Sequence, residues 1–191
     1  MSTAEEEIMG KIKVHEFITV DGVYESPSWT MEFSFDPKMG EAIGAVVASS
    51  KGILLGRNTF EMFAPAWSGR TAEDDPGAPF FNESPKYVVS SAPQLNVEWN
   101  NSTLLGPYNR DAIRDLKDHV DGDLYVSGSG TLVRALLADS LLDELHLFVY
   151  PVLLGDRDRL FTQDTPNAKL SLSQSETYDN GVVHLAYAPA A

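Results

Sequence analysis

Hydrophobic and polar positions along the chain switch repeatedly between the spacing of strands and that of helices. The clearest case is segment 123–155, where residues 124–127 form a short apolar run and the turn Gly128-Ser129-Gly130 follows at once. Leucine and valine pairs spaced four residues apart then predict an amphipathic helix, and residues 144–150 form a second apolar run. A strand, a glycine turn, a helix and a strand in this order predict a βαβ unit.

The N-terminal part of the chain predicts a strand, an aromatic loop and a helix. The strand is expected over residues 11–20 and is covered on both faces, which are lined by Ile12, Val14, Ile18 and Val20 and by His15, Phe17 and Thr19. A loop rich in aromatic residues follows as far as residue 35. Asp36 and Pro37 predict the start of a helix, with Asp36 as its N-cap, and this helix is expected to end near residue 49.

A second junction of strand, glycine and helix follows. Residues 52–55 form a short apolar strand that runs directly into Gly56 and Arg57. Asn58 and Glu61 have the spacing of a capping box, which predicts Asn58 as the N-cap and places Arg57 beside free N–H groups. Residues 64–84 are rich in proline, glycine and acidic residues, and a connection of this length is usually functional or mobile.

The C-terminal pattern completes the predicted sheet. The apolar runs 87–89 and 103–105 predict two short strands, and Asn109 predicts the cap of a helix that leads into the βαβ unit. Asn180-Gly181 predicts a hairpin turn between strands 169–178 and 182–187. Alternating strands and helices followed by a terminal hairpin predict an α/β fold, with a mixed, mostly parallel sheet and an antiparallel edge.

Composition and charge narrow the possible functions. At 191 residues and 43% hydrophobic, the chain can bury one substantial core, so we expect a single domain over residues 10–191 behind an acidic, disordered lead-in, residues 1–9. A formal net charge of −14 argues against nucleic acid and anionic membranes as partners. Cysteine is absent, which excludes disulfides and thiol chemistry. No apolar run approaches the ~18 residues of a membrane span and the N-terminus does not resemble a signal peptide, so a cytoplasmic location is expected by elimination.

The two glycine junctions are the candidate ligand sites. Glycines at a strand-to-helix turn allow a ligand to approach the backbone, and the start of the helix offers free N–H groups and a partial positive charge to a phosphate. Gly128-Ser129-Gly130 can equally be a plain tight turn, so this motif leaves both interpretations open. The four histidines have no spacing typical of a metal site. His15, His146 and His184 each lie alone in a predicted strand, and we interpret them as core or edge histidines that have a hydrogen-bond partner.

Three stretches together carry a resemblance to a known group of enzymes. LLGRNTFEMF resembles the Gly-Arg-x-Thr segment of dihydrofolate reductases, and YVVSS followed by Ala-Pro resembles the strand and serine pair that come next in that fold. The stretch from residue 123 through PVLLG to Arg159-Leu160-Phe161 resembles the C-terminal reductase domain of the bifunctional riboflavin-biosynthesis deaminase/reductase. Residues 11–187 as a whole are similar to the stand-alone members of that group.

The resemblance implies a dihydrofolate reductase-like sheet that holds NADPH across the carboxyl ends of its strands, in a homodimer that uses a small-molecule substrate. Phosphate binding at a helix N-terminus is implied for Gly56, Arg57, Asn58 and Thr59, and binding of the adenosine 2′-phosphate for Arg57, Ser90 and Ser91. Contact with the pyrophosphate and the nicotinamide is implied for Gly128, Ser129, Gly130, Thr131 and Leu132, and a place beside the nicotinamide for Ile18 and Thr19. The chemistry of these residues agrees, because arginine offers a rigid fork of donors and serine hydroxyls can complete a phosphate site.

The substrate side is less well defined by the sequence. The aromatic candidates for stacking on a flat heterocycle are Tyr24, Trp29, Phe33, Trp67 and Tyr150, each of which could instead cap the core. Trp67 is the preferred one, because we expect it in a loop after the phosphate-binding helix. Asp36 and Glu41 are the candidate catalytic carboxylates, although the Trp–Pro–carboxylate pattern of dihydrofolate reductases is not intact and Asp36 is already predicted as a helix cap.

These observations lead to one main hypothesis and two alternatives. The main hypothesis is an NADPH-dependent reductase that transfers hydride to a small heterocyclic acceptor, pterin-like or pyrimidine-like. The first alternative is a non-catalytic nucleotide-binding or regulatory module that kept the fold and lost the reaction. The second is a reductase that uses NADH or a flavin.

Overall fold

The computed structural model describes residues 10–190. The expected disordered lead-in, residues 1–9, lies outside the described residues. Within residues 10–190, none of the helices has the length and apolar character that crossing a membrane requires.

Eight strands and five α-helices alternate along the chain. The strands are β1 (Ile12–Thr19), β2 (Ser50–Gly56), β3 (Lys86–Val89), β4 (Ser102–Gly106), β5 (Asp123–Val126), β6 (Glu144–Tyr150), β7 (Leu170–Thr177) and β8 (Val183–Pro189). The helices are α1 (Pro37–Ala48), α2 (Arg57–Trp67), α3 (Ala78–Glu83), α4 (Arg110–His119) and α5 (Gly130–Ala138), and a 3₁₀-helix spans Pro27–Glu32.

The strands form one mixed sheet in the order β4-β3-β2-β5-β1-β6-β8-β7. All pairs from β4 through to β6 are parallel. Only β8 against β6 and β7 against β8 are antiparallel within the described part of the chain. The predicted fold class is confirmed, because the sheet is mostly parallel, the helices flank it and the antiparallel strands lie at its C-terminal edge.

Helices cover both faces of the sheet, as the alternation of side chains along a strand requires. Leu54 on β2 packs with Leu136 of α5 and Ile113 of α4. Its neighbours Ile53 and Leu55 point to the opposite face, where they pack in a cluster with residues of α2. A third buried cluster joins α1, the 3₁₀-helix and β6. The central strands therefore have little freedom to shift, and the loops at their carboxyl ends are held in place.

The ends of β1 and α2 differ from the predicted ones in a way that changes where side chains lie. Strand β1 ends at Thr19, so Val20, predicted to face the core, is 62% exposed. Helix α2 continues to Trp67, past the point where we expected a long loop. It does so because Phe60 and Ala64 continue the buried face of α2, whereas Pro65 lies on the exposed side. The remainder of segment 64–84 contains helix α3.

Lys86, at the start of β3, links this strand to the end of α3. It is fully buried, and its ammonium group donates to the backbone oxygens of Phe81 (2.7 Å), Ser84 (2.9 Å) and Asn82 (3.4 Å). The ring of Trp99 lies 4.5 Å from Nζ. Backbone carbonyls and an aromatic face thus replace a carboxylate partner around this buried charge.

Replacing Lys86 by Met should lower the free energy of unfolding by about 2 kcal/mol or more, because buried carbonyl oxygens lose their donor. Urea unfolding followed by circular dichroism measures the change. Lys38→Met, at an exposed position of α1, is the matched control and should leave the midpoint within error. Equal midpoints for the two variants would show that Lys86 does not stabilise the α3–β3 connection.

Candidate functional site

The carboxyl ends of β2, β3 and β5 border one open groove of ≈ 410 Å³. Its walls come from the first turns of α2 and α5 and from the segments that follow β3 and β4, and they comprise Gly56, Arg57, Asn58, Val89, Ser90, Ser91, Pro107, Tyr108, Ser129, Thr131, Leu132 and Ala135. The structure thus brings together most of the residues that we expected to bind a cofactor. These residues meet because β2 and β5 are neighbours in the sheet, and parallel strands end at the same edge.

Helix α2 begins one residue after β2 ends, without a side-chain cap. Gly56 occupies the N-cap position in an extended conformation, and Arg57 is the first helical residue. The predicted capping box is therefore wrong: Asn58 lies exposed inside the first turn, and Glu61 pairs with Arg57 instead. Because no side chain caps α2, its first N–H groups are left for solvent or for a ligand in the groove.

Arg57 is held along α2 by Glu61. Its Nε lies 2.7 Å from Glu61 Oε1, and this is the ion pair of Arg57 within residues 10–190. The dipole of a helix disfavours a cation at its N-terminus, so the position of Arg57 is unfavourable for helix stability alone. An anion in the groove would compensate this charge, and the ion pair through Nε leaves the Nη atoms on the guanidinium fork for such a ligand.

The two serines after β3 differ in exposure. Ser90 is buried, and its hydroxyl accepts from the backbone N–H of Ala92 at 3.1 Å. Its backbone N–H donates to the Gly106 oxygen at 2.8 Å, which ties the end of β3 to that of β4. Ser91 is exposed on the wall of the groove. A hydroxyl that accepts within the turn keeps its own hydrogen free to donate, so both serines can donate to an anion.

The glycine turn after β5 is packed closely against its neighbours. Gly128 has φ +84°, a conformation that favours glycine, and its peptide bond to Ser129 is cis. A Cβ on Gly130 would lie 2.5 Å from Cζ of Tyr24, so only glycine allows the tyrosine ring to cover the start of α5. On the other side, a Cβ on Gly56 would collide with the Ser129 side chain. Glycine is therefore required at these positions, because neighbouring side chains pack where a Cβ would lie.

Glu16, on β1, lies beside this turn and was missed by the sequence analysis. It is 6% exposed, and within residues 10–190 its Oε1 has no hydrogen-bond partner. Burial raises the pKa of this carboxyl to about 8, an effect that the Gly128 backbone N–H offsets in part. The signal in the sequence was an acidic residue at position 16 between Val14 and Ile18, on a strand face that is otherwise apolar.

The residues expected to flank a nicotinamide have other roles in the fold. Ile18 is part of the core that packs against α5. Thr19 is fully buried, and its hydroxyl donates to Asp21 and accepts from the N–H of Val23 at 3.0 Å. Thr59 is also buried, and its hydroxyl faces Gly128. Glu16 of β1 and Thr59 of α2 are therefore the side chains that face Gly128 of the turn.

The aromatic candidates for substrate binding do not form one surface. Trp29, Phe33 and Tyr150 pack together, with ring centroids 5.2 Å (Trp29–Tyr150) and 5.3 Å (Phe33–Tyr150) apart, in the buried cluster beneath α1. Tyr24 lies apart from them, over Gly130. Trp67 is not in a loop over the groove: it ends α2 and stacks on Phe81 at 4.2 Å. The apolar face of α2 draws Trp67 into the neighbouring core cluster.

The two candidate catalytic carboxylates lie on α1. Asp36 caps the helix as predicted, because its side chain accepts from the N–H of Lys38 at 2.9 Å. Its other oxygen accepts from the N–H of Asp179 at 3.0 Å. Glu41 is exposed on the helix surface. Asp36 therefore holds α1 to the turn between β7 and β8, and neither Asp36 nor Glu41 is among the residues that line the groove.

The three strand histidines are buried and have hydrogen-bond partners, as we interpreted them from the sequence. The Nδ1 of His146 lies 3.1 Å from Nε2 of His184, and His15 Nδ1 lies 2.6 Å from the hydroxyl of Tyr125. Burial first, and then the neighbouring histidines, lower the pKa of His15 to about 3. Burial also lowers the pKa of His184 to about 4. Within residues 10–190, no cluster of three or more histidine, aspartate or glutamate side chains could hold a metal ion.

Replacing Glu16 by Gln should change how stability depends on pH. The folded carboxyl keeps its proton to about pH 8, whereas the unfolded chain releases it near 4.5. The stability that Glu16 contributes is therefore present below pH 4.5 and is lost as the pH rises to 8. The variant should gain stability over the wild type across this range, by up to about 1.4 kcal/mol per pH unit.

Urea unfolding at pH 5.5, 7.0 and 8.5 measures this difference. The histidines, which must take up protons on unfolding below about pH 6.5, are common to both proteins and cancel in the comparison. Glu83→Gln, at an exposed position, should follow the wild type at each pH. Parallel curves for wild type and Glu16→Gln would contradict a protonated buried carboxyl.

The chain is similar to known proteins in sequence and, separately, in structure. The uncharacterized protein YyaP of Bacillus subtilis (strain 168) is 24% identical over 173 residues, which make up 89% of this chain and 90% of that protein. A Shewanella sp. PV-4 protein described as a riboflavin biosynthesis protein has a TM-score of 0.78 at 20% identity, covering 96% of this chain and 100% of that one. The dihydrofolate reductase of Enterococcus faecalis, complexed with NADP(H), has a TM-score of 0.64 at 12% identity, covering 96% and 98%.

The match to a family model confirms the resemblance inferred from the three sequence stretches. The model of the RibD C-terminal domain covers residues 10–184, a range that contains both glycine junctions, the serine pair and Glu16. The chain belongs to the RibD C-terminal domain family.

Proposed function

We propose that this protein is an NADPH-dependent reductase that transfers hydride to a small heterocyclic acceptor, of pterin-like or pyrimidine-like shape. The observation that carries the proposal is the groove between the N-termini of α2 and α5, with Arg57 and the serine pair on its walls and the glycine turn beside it. Family membership supports the same conclusion at the level of a reductase fold.

The groove suits a dinucleotide in its distribution of charge. Two helix N-termini border it, and each offers N–H groups and a partial positive charge to phosphates. In a chain of net charge −14, Arg57 supplies the local cation that a phosphate requires. Tyr108 and Pro107 add a flat, partly apolar wall, which suits an aromatic base.

The residues present fit NADPH in three respects. Glycine at positions 56, 128 and 130 allows Ser129, Thr59 and Tyr24 to pack closely at the two junctions, which holds both helix N-termini beside the groove. Arg57, Ser90 and Ser91 could hold the 2′-phosphate, and the Glu16 carboxyl has an oxygen without a partner beside the turn. When bound, NADPH would supply the hydride. The structure of the Enterococcus faecalis dihydrofolate reductase, of similar fold, is complexed with NADP(H), which supports this choice.

The chain itself would bind and orient the cofactor and the acceptor, and it would exclude water from them. The N-termini of α2 and α5 and Arg57 would hold the phosphates, and the glycine turn would hold the nicotinamide end of the cofactor. Asp36 is committed to capping α1 and Glu41 is exposed, so we assign neither of them a step. The proton that accompanies the hydride would then come from water or from a substrate-side group.

A non-catalytic binding module is the second candidate. The cluster of Trp29, Phe33 and Tyr150 fills the space beneath α1, which leaves that side of the sheet packed by side chains. A protein that binds NADPH tightly and oxidises it with none of a panel of pterins, pyrimidines and flavins would fit this candidate better than a reductase.

Replacing Arg57 by Ala should weaken NADPH binding by about 10- to 100-fold and leave NADH binding nearly unchanged, because only NADPH carries the 2′-phosphate. Titration of the purified protein with each nucleotide, followed by tryptophan fluorescence and thermal stability, measures this selectivity. The wild type should prefer NADPH, and its preference should decrease as salt is added.

Arg114→Ala is the matched control, because Arg114 lies on α4, pairs there with Asp111 and takes no part in the groove. It should bind both nucleotides as the wild type does. An equal loss of NADPH and NADH affinity in Arg57→Ala would reject the 2′-phosphate role. No binding of either nucleotide to the wild type would reject the proposed function.

A further inference from the structure

Glu16 is the buried titratable group whose position neither the fold nor the proposed function explains. It interrupts the apolar face formed by Ile12, Val14 and Ile18, all of which pack against α5 or its neighbours. A carboxyl in such a place costs stability unless it is paired or neutral. The position of Glu16 beside the glycine turn therefore requires an explanation other than packing.

No cation of the described residues neutralises Glu16. The lysines of β1 pair elsewhere: Lys11 with Glu144 at 2.8 Å and Lys13 with Asp123 at 2.7 Å. Within residues 10–190 no salt bridge includes Glu16, and its Oε1 has no donor. A carboxyl that merely stabilised the fold would be expected to have such a partner.

The Glu16 carboxyl lies directly beside Gly128 of the turn. Its Oε1 lies 3.6 Å from the position that a Cβ on Gly128 would take, and Oγ1 of Thr59 lies 2.7 Å from the same point. Only glycine fits at position 128, because a Cβ there would collide with the Thr59 hydroxyl. The Tyr24 ring covers the next glycine of the turn, Gly130, so residues of β1, α2 and the loop after β1 all pack against the turn.

The chemistry of a neutral carboxyl group defines what it would recognise. It carries one O–H donor and one carbonyl acceptor, side by side. A primary carboxamide carries the complementary pair, an oxygen acceptor and N–H donors, at the same separation. The nicotinamide ring bears such a carboxamide next to its reactive carbon, whereas the adenosine half of the nucleotide has none.

We propose that the Glu16 carboxyl binds the carboxamide of the nicotinamide ring, through paired hydrogen bonds, and so sets the rotation of that ring at the glycine turn. This inference rests on the proposed use of NADPH. Glu16 is then a positioning residue for the cofactor: it fixes which face of the ring is presented to the acceptor and takes no proton from the reaction.

The groups around Glu16 allow a pH test of this role. Burial raises the pKa of Glu16 to about 8, so the carboxyl changes from a donor and acceptor to an acceptor alone above that pH. The titratable groups that act on it are the phenols of Tyr24 and Tyr125, and burial raises the pKa of both. Arg134 and Asp158 act on Tyr24, and Thr59 of α2 adds a neutral hydroxyl. Between pH 7 and 9, Glu16 is therefore the group that changes charge at the turn.

The experiment compares two probes, NADPH and adenosine 2′,5′-bisphosphate, by calorimetric titration of the whole protein. The bisphosphate carries the adenosine half and both phosphates but no nicotinamide. Glu16→Leu should weaken NADPH binding about tenfold or more and leave bisphosphate binding within about twofold. Glu16→Gln, whose amide keeps one donor and one acceptor, should retain NADPH binding.

The same titrations at pH 7 and 9 separate the role of Glu16 from a general effect. NADPH affinity of the wild type should fall about tenfold between these values, whereas that of Glu16→Gln should stay constant. Bisphosphate affinity should be constant in every protein, because its phosphates are already ionised at pH 7. Glu83→Gln, exposed on α3, should behave as the wild type.

Each alternative outcome contradicts a different statement. Unchanged NADPH affinity in Glu16→Leu, with the bisphosphate still bound, would overturn the carboxamide contact and leave the proposed function in place. Equal losses for both probes in Glu16→Leu and Glu16→Gln would mean that Glu16 only supports the turn. If neither probe binds to the wild type, the NADPH function itself is wrong, and the inference fails with it.

Discussion

The close approach of two parallel strand ends is the constraint on which the candidate site depends. The N–H of Gly56 donates to the oxygen of Gly128 at 3.2 Å, and Ser129 packs where a side chain on residue 56 would have to lie. This contact places the first turns of α2 and α5 on the same side of the sheet edge. Without it, the two helix N-termini would border separate surfaces rather than one groove.

Positive potential in this groove is built mostly from backbone groups. The protein as a whole is strongly acidic, and Arg57 is the one arginine or lysine among the groove residues of the described chain. Arg57 is itself partly neutralised by Glu61. An anion would therefore be held by N–H groups and helix dipoles as much as by formal charge. Such a site discriminates by geometry, because N–H groups at a helix end point in fixed directions.

The sequence predicted the sheet and most of the residues that line the groove, because both are encoded locally. Strand β2 ends in Gly56, a serine directly follows β3 and β5, and α2 and α5 each start within a few residues of the preceding strand. The contact between His146 and His184 could not be predicted in this way, because it depends on the antiparallel register that sets Phe148 opposite His184. Trp67 was misplaced because proline and acidic residues nearby suggested a loop, whereas packing of α2 decided the outcome.

Glu16 shows how a local exception to a pattern can be more informative than the pattern. Alternation along β1 correctly predicts a buried face, and an acidic residue on that face conflicts with its burial. Packing alone would favour an apolar side chain there, since a buried carboxyl must remain protonated or lose stability. A ligand that offers hydrogen bonds to the carboxyl in the bound state removes this conflict, and the free energy of that contact then appears as affinity. A residue whose burial costs stability in the free protein is therefore expected where its side chain binds a ligand, because the bound ligand compensates that cost.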